Sequence, residues 1–264
     1  MMLEDSAVQA ASDLIWSTWQ AAARIPALPE ALRPAGRAEG YAIQARLEAR
    51  SARPLFGWKI AATSKAGQAH IGVDGPLAGR ILAEMVVPEG SALSLSDNAM
   101  RVAEPEFVFR MGRDLPPRAA EYGQAEVMEA VAALHLGIEV PDSRFADFAS
   151  AGGPQLIADN ACAHRFALGP EAPALWRELD LAAHRVHCTV APRYEREGIG
   201  ANVLGDPRIA LTWLANELSR HGVTLRAGQV VTTGTCAVPL EIAPGDRVRA
   251  DFGRLGSLSL RFLS

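Results

Sequence analysis

The sequence predicts a mixed α+β fold built around a curved sheet or barrel. Two observations lead there. Apolar residues recur at helical spacing in some stretches, and short apolar or alternating runs bounded by Gly and Pro fill others. The two kinds of segment do not alternate regularly, so strands with long helical insertions are expected rather than a repeating strand-helix unit.

Residues 5–24 read as an amphipathic helix, with Val8, Ala11, Leu14, Ile15 and Trp19 on one face and Asp5 or Ser6 as the cap. Pro26, Pro29 and Pro34 break the chain, and a second helix is expected over 37–50 with Ala42, Ile43 and Leu47 inward. Residues 1–52 thus form an N-terminal helical layer, and 53–264 form the core to which it belongs. Residues 56–61 read as an apolar strand carrying one lysine, Lys59. A short helix over 63–71, capped by Thr63 or Ser64, and a loop over 72–79 follow. Residues 102–111 read as a strand, 121–134 as a helix feeding a strand that ends at Glu139, and 165–168 and 182–190 as strands. Ile209, Leu211, Leu214, Ala215 and Leu218 mark a helix over 207–221 that Gly222 stops. Three strands, 229–232, 246–251 and 257–262, close the chain.

Composition excludes several classes of function. The formal charge is −4, from 26 basic and 30 acidic residues, which leaves no basic field for nucleic acid. Three scattered cysteines, Cys162, Cys188 and Cys236, form no Cys-x-x-Cys pair; they argue against a disulfide scaffold or zinc site and fit a reducing cytoplasm. No stretch is long and apolar enough to suggest a bilayer span, and the acidic N-terminus does not read as a secretory signal. His184 and His187 fall on opposite faces of their expected strand, and no phosphate loop or nucleophile elbow occurs.

The chemistry gathers around Glu104-Pro105-Glu106. Pro105 favours extended backbone at Glu104, and in a strand residues i and i+2 share a face, so two carboxylates stand side by side in an apolar setting. That arrangement is costly unless a cation neutralises it. Glu139 lies in a second apolar segment. Three converging carboxylates without His or Cys suit a hard cation, Mg²⁺ or Mn²⁺. Lys59 either snorkels outward or faces the same polar cavity, where it would bind a substrate carboxylate or move a proton. Asp159, Thr233, Gly234 and Thr235 are the candidate substrate-binding residues. For Asp159 an Asx turn, and for the 233–235 stretch a plain strand-to-turn junction, are the alternatives.

Together these segments resemble the 2-hydroxypentadienoate (2-keto-4-pentenoate) hydratase and 4-oxalocrotonate decarboxylase group of the fumarylacetoacetate hydrolase superfamily. The resemblance rests on Gly57-Trp58-Lys59-Ile60, Gly72-Val73-Asp74, Glu104-Pro105-Glu106, Gly137-Ile138-Glu139, Ile157-Ala158-Asp159-Asn160, Val203-Leu204-Gly205 and Thr233-Gly234-Thr235, in family order across the chain. It implies a fumarylacetoacetate-hydrolase-like β-roll core with N-terminal and peripheral helices. It implies a divalent ion on Glu104, Glu106 and Glu139, with Lys59 as the nearby catalytic group. The expected substrate is a small 2-oxo acid or 2-hydroxydienoate, and the expected reaction is that of a hydro-lyase in aromatic meta-cleavage catabolism. The alternatives are a decarboxylase, a tautomerase, a carbon–carbon hydrolase, or a weakly active subunit supporting a partner enzyme; the expected assembly is a homo-oligomer. One departure stands out: Leu77 occupies the place after Pro76 where the hydratases carry an acid.

Overall fold

The computed structural model describes residues 3–263. Six helices, α1 (Asp5–Gln20), α2 (Arg37–Ala45), α3 (Lys65–His70), α4 (Gln124–Glu129), α5 (Gly153–Ala158) and α6 (Pro207–Arg220), surround thirteen strands. The strands are β1 (Gly57–Ala61), β2 (Leu77–Ile81), β3 (Val86–Pro88), β4 (Ala92–Leu93), β5 (Val102–Met111), β6 (Val131–Val140), β7 (Arg165–Glu171), β8 (Arg185–Ala191), β9 (Tyr194–Ile199), β10 (Val230–Thr235), β11 (Leu240–Glu241), β12 (Arg247–Asp251) and β13 (Ser257–Phe262). They form two mixed sheets. The larger runs β2-β1-β10-β5-β6-β7-β3, with β11 pairing to β5, and the smaller runs β4-β13-β12-β8-β9. This is the α+β architecture expected from the irregular order of strands and helices.

The sheets share one core. Phe107 of β5 meets Phe252, just past β12, edge to face at 5.1 Å, and Val186, Val190, Val248 and Leu260 of the smaller sheet are buried. The N-terminal helices join the same core through Val8, Ile15 and Ile43. Gly40 lets α2 approach α5: a Cβ there would lie 2.6 Å from the Pro154 carbonyl oxygen. The buried Gln44 amide ties α2 to the larger sheet and to α5 by donating to the carbonyls of Ala78 in β2 and Ile157 in α5, each at 2.8 Å. No helix among the described residues is long and apolar enough to cross a membrane.

Several expected boundaries shift. The helix over 121–134 is only α4, because residues 131–140 join a sheet covered on both faces. A strand buried on both sides carries a near-continuous apolar run rather than strict alternation, and Val131 to Leu136 is therefore ambiguous in the sequence. The loop over 72–79 ends early, since Leu77 already pairs with Ala61 in the β1–β2 ladder. The second helix turns 3₁₀ after Ala45, and neither Asp5 nor Ser6 caps α1, whose N-cap position is Glu4. Ser64 does cap α3, accepting from the Gly67 N–H at 3.0 Å.

Candidate active site and metal centre

The site is assembled on four neighbouring strands of the larger sheet, β1, β10, β5 and β6. In the antiparallel β5–β6 ladder Glu104 stands opposite Glu139, and Glu106 lies two residues on, on the same face as Glu104. Like charges directly opposite each other destabilise a sheet. Strand β10 pairs with the other edge of β5 and is irregular between Thr232 and Thr235. There Gly234, at φ +102°, turns its N–H onto Glu106 Oε2 at 2.6 Å, and Thr232 Oγ1 donates to the same oxygen. Only glycine fits, because a Cβ would lie 2.1 Å from Thr63 Oγ1. Strand β1, parallel to β10, brings in Lys59, whose Nζ lies 3.1 Å from Glu139 Oε1 and donates to the Ala161 carbonyl at 2.9 Å.

Carboxylate oxygens of Glu104, Glu106 and Glu139 all lie within 4.8 Å of one another. Glu106 and Glu139 are buried, and Glu106 Oε1 and Glu139 Oε2 have no hydrogen-bond partner in the protein. Buried carboxylate oxygens left without a donor are rare and demand a missing partner. Charge leads to the same conclusion. Three ionised carboxylates and one ammonium sum to −3 + 1 = −2, the charge a divalent cation cancels. Without it the carboxyls resist ionisation: burial, then the charge of Glu139, pushes Glu104 up to about 7 against the opposing pull of Lys59. Burial, followed by Glu139 and Glu104, lifts Glu106 well above the carboxylate range, and burial raises Glu139 despite Lys59. Burial works against the Lys59 ammonium, but the surrounding glutamates outweigh it and keep it charged. An all-oxygen anionic donor set with unsatisfied oxygens fits a hard divalent ion.

The sequence from Ala62 onward matches a known family. Residues 62–263 match the fumarylacetoacetate (FAA) hydrolase C-terminal family. The chain belongs to the FAA hydrolase family. Among its relatives in this family, the 2-keto-4-pentenoate hydratase 1 of Dechloromonas aromatica (strain RCB) is 31% identical over 257 residues, 96% of each chain. A 4-oxalocrotonate decarboxylase of a Pseudomonas species is 31% identical over 86% of each. The solved structure of 4-oxalocrotonate decarboxylase from Pseudomonas putida G7, complexed with magnesium and adipate, superposes with a TM-score of 0.89 at 28% identity, covering 99% of both chains.

In this member of the FAA hydrolase family the carboxylate cluster borders a cavity of about 900 Å³. Of the sequence-predicted residues, Lys59, Glu104, Gly234 and Thr235 lie on its wall; Glu106 and Glu139 do not line it themselves and join it through their cluster with Glu104, and Asp159 and Thr233 are not brought there. Asp159 is buried and spent on structure: it ion-pairs with Arg144 and accepts from Ser143 Oγ at 2.7 Å. Thr233 Oγ1 donates to the Phe107 carbonyl at 2.9 Å. Thr233 points away because side chains alternate along β10 and its neighbour Thr232 takes the Glu106 side, while Asp159 is claimed by the buried Arg144. Leu77, 1% exposed, faces the same cavity with Ile60 and Leu156. Glu104 is the only carboxylate among the described wall residues. Lys65 and His70 of α3, with Phe148, also line the cavity and escaped the sequence reading. Their one signal was the Ser64 cap, which places a helix start directly after β1. Cys162 lines the wall as well, and burial, then Asp159, pushes its thiol up to about 12, so it sits there as a neutral group.

Proposed function

We propose that the chain is a divalent-metal-dependent lyase of a 2-hydroxydienoate or 2-oxo acid, a hydratase of the 2-keto-4-pentenoate kind. Glu104, Glu106 and Glu139 would hold Mg²⁺ or Mn²⁺, and Lys59 is the catalytic group beside it. The observation that carries this reading is the pair of buried, partnerless oxygens, Glu106 Oε1 and Glu139 Oε2, inside a three-carboxylate cluster. The hydratase relative and the magnesium-bound decarboxylase structure support it.

When bound, the ion would supply Lewis-acid polarisation of a 2-oxo acid's carbonyl and charge stabilisation of its enolate form. The chain's own residues supply the rest. Lys59 is held as an ammonium with three N–H donors, two of them engaged by Glu139 and Ala161. The third is free for a substrate carboxylate or enol oxygen. Leu77, Ile60 and Leu156 give the cavity apolar walls, which strengthen that charge-assisted contact by excluding water. Gly234 and Thr235 shape the wall beside the substrate; Asp159 and Thr233 act beneath it, as props. The three free cysteines support a reducing, cytoplasmic setting, and sedimentation would test the homo-oligomer expected from the sequence.

Leu77 favours a second reading, a 2-oxo acid decarboxylase. Water addition calls for a group that carries a proton or orients water, and an apolar side chain does neither. Decarboxylation needs the electron sink alone. The test is a panel of 2-hydroxydienoates and 2-oxo diacids offered to the purified chain with Mg²⁺, with Mn²⁺ and after chelation. Hydration that stops on chelation supports the hydratase. Release of CO₂ from a 2-oxo diacid without hydration establishes the decarboxylase. No metal-dependent turnover of any member would refute both.

A further inference from the structure

The backbone beside Lys59 is unusual. Asn160, Ala161 and Cys162 have φ of 57°, 50° and 61°. Residues bearing a side chain visit this left-handed region singly, not in runs, because Cβ crowds the following carbonyl. Something must hold the run, and the structure shows what. The Asn160 amide clamps the Arg80 backbone from both sides, accepting from its N–H at 2.6 Å and donating to its carbonyl at 2.8 Å. Asp159 is anchored by Arg144 and Ser143, and the Cys162 carbonyl accepts from Asp142 N–H at 2.9 Å. The product of the turn is one carbonyl, Ala161 O, turned onto Lys59 Nζ. Gly79, paired with Lys59 across the β1–β2 ladder, completes the mould. A Cβ at Gly79 would come 2.5 Å from the Asn160 carbonyl oxygen and 3.0 Å from both Cγ and Cδ of Lys59.

We infer that the left-handed turn at residues 160–162, locked by Asn160 and roofed by Gly79, is a positioning device for the Lys59 ammonium. This rests on the lyase reading above. A lysine stem is flexible, and a single ion pair with Glu139 leaves the ammonium free to pivot over the carboxylates. Two fixed acceptors, Glu139 Oε1 and Ala161 O, set the direction of the third N–H. Strain held by surrounding structure at such a point belongs to a functional site rather than to the fold's stability. Asn160 and Gly79 are positioning residues, acting through Lys59.

The test uses Asn160→Ala and Gly79→Ala, each alone and combined with Lys59→Met, in the full chain with Mg²⁺. Asn160→Ala removes the clamp, and Gly79→Ala presses on the turn and the lysine stem while leaving the clamp's atoms in place. Each should lower kcat on the order of 10²-fold, the usual cost of displacing a reacting group by about 1 Å, with KM within about threefold. In the Lys59→Met background each should cost less than about threefold more, because the group it positions is gone. Crystal structures of the variants should show Nζ withdrawn from Ala161 O. Losses that multiply fully in both backgrounds would overturn the inference. So would variant structures in which Nζ keeps both acceptors. If Asn160→Ala fails to fold, Gly79→Ala decides alone. If the wild type turns over no 2-oxo acid, the lyase reading fails, and the crystal structures still decide whether the turn places Lys59.

Discussion

Replacing Glu106 by Gln isolates the charge of one carboxylate with almost no change in shape. The amide oxygen can take the place of Oε2 and still accept from Gly234 N–H and Thr232 Oγ–H. The amide nitrogen then points a donor where the partnerless Oε1 stands. The fold should therefore survive, and the cluster falls from −2 to −1. The carboxylate oxygens lie within 4.8 Å of one another. Taking about 5 Å as a conservative separation between a dication and one negative charge of such a cluster, an effective dielectric of about 20 gives 2 × 332/(20 × 5), or about 7 kcal/mol. Part of this is offset in the wild type, since burial, then Glu139 and Glu104, raise the Glu106 pKa and make the ionised form that would bind an ion harder to reach. With half of it offset, about 3 kcal/mol remains, a hundredfold or more in Kd. Isothermal titration calorimetry with Mg²⁺ at pH 7.5 reads this directly, and thermal unfolding in EDTA checks that the ion-free variant is no less stable than the wild type. A Kd within about threefold of wild type would refute the assignment of Glu106 as a ligand.

Three further outcomes follow from the same geometry. Glu104 has its folded-state pKa raised from 4.5 to about 7, so its own contribution to the stability of the ion-free chain is fully present below pH 4.5 and should be lost, by about 3 kcal/mol, as pH rises through 7. Urea melts in EDTA at pH 5 and 8 check this, and saturating Mg²⁺ should restore the loss; stability that does not fall over that interval would count against it. Lys59→Met should lower turnover by at least about 10²-fold yet leave the melting temperature near that of wild type, because buried Glu139 can take up a proton when its partner leaves; full turnover would show the ammonium to be a bystander. Leu77→Asp places a carboxylate on the cavity wall and should raise hydration of 2-hydroxypentadienoate relative to wild type under the same Mg²⁺. High wild-type hydration that this change fails to improve would assign the water to another group, with Asp74 the next to test.

Much of the site was legible in the chain because its key residues obey local rules. Glu104 and Glu106 share a face through the two-residue period of a strand, and Pro105 between them secures the extended backbone. Lys59 interrupted an apolar run, which burial confirms as an inward-facing charge. The helices α1 and α6 followed from their apolar stripes. Where the periodicity was blurred, the reading slipped: residues 131–134 are apolar without a break, so nothing local separated a helix from a sheet interior.

By itself, then, the sequence determined the α+β class, the carboxylate-rich and metal-suited chemistry, and the order of motifs that marks the family. Tertiary structure decided the rest, because those features depend on register between strands far apart in the chain. Glu139 meets Glu104 only through the β5–β6 pairing, and Lys59 reaches Glu139 only because β10 lies between β1 and β5. Asp159 and Thr233 carry groups suited to binding substrate, yet packing gave their hydrogen bonds to Arg144, Ser143 and Phe107. Likewise, no local pattern shows that Ala161 contributes a carbonyl rather than a side chain; that follows from a left-handed turn held by contacts from residue 80.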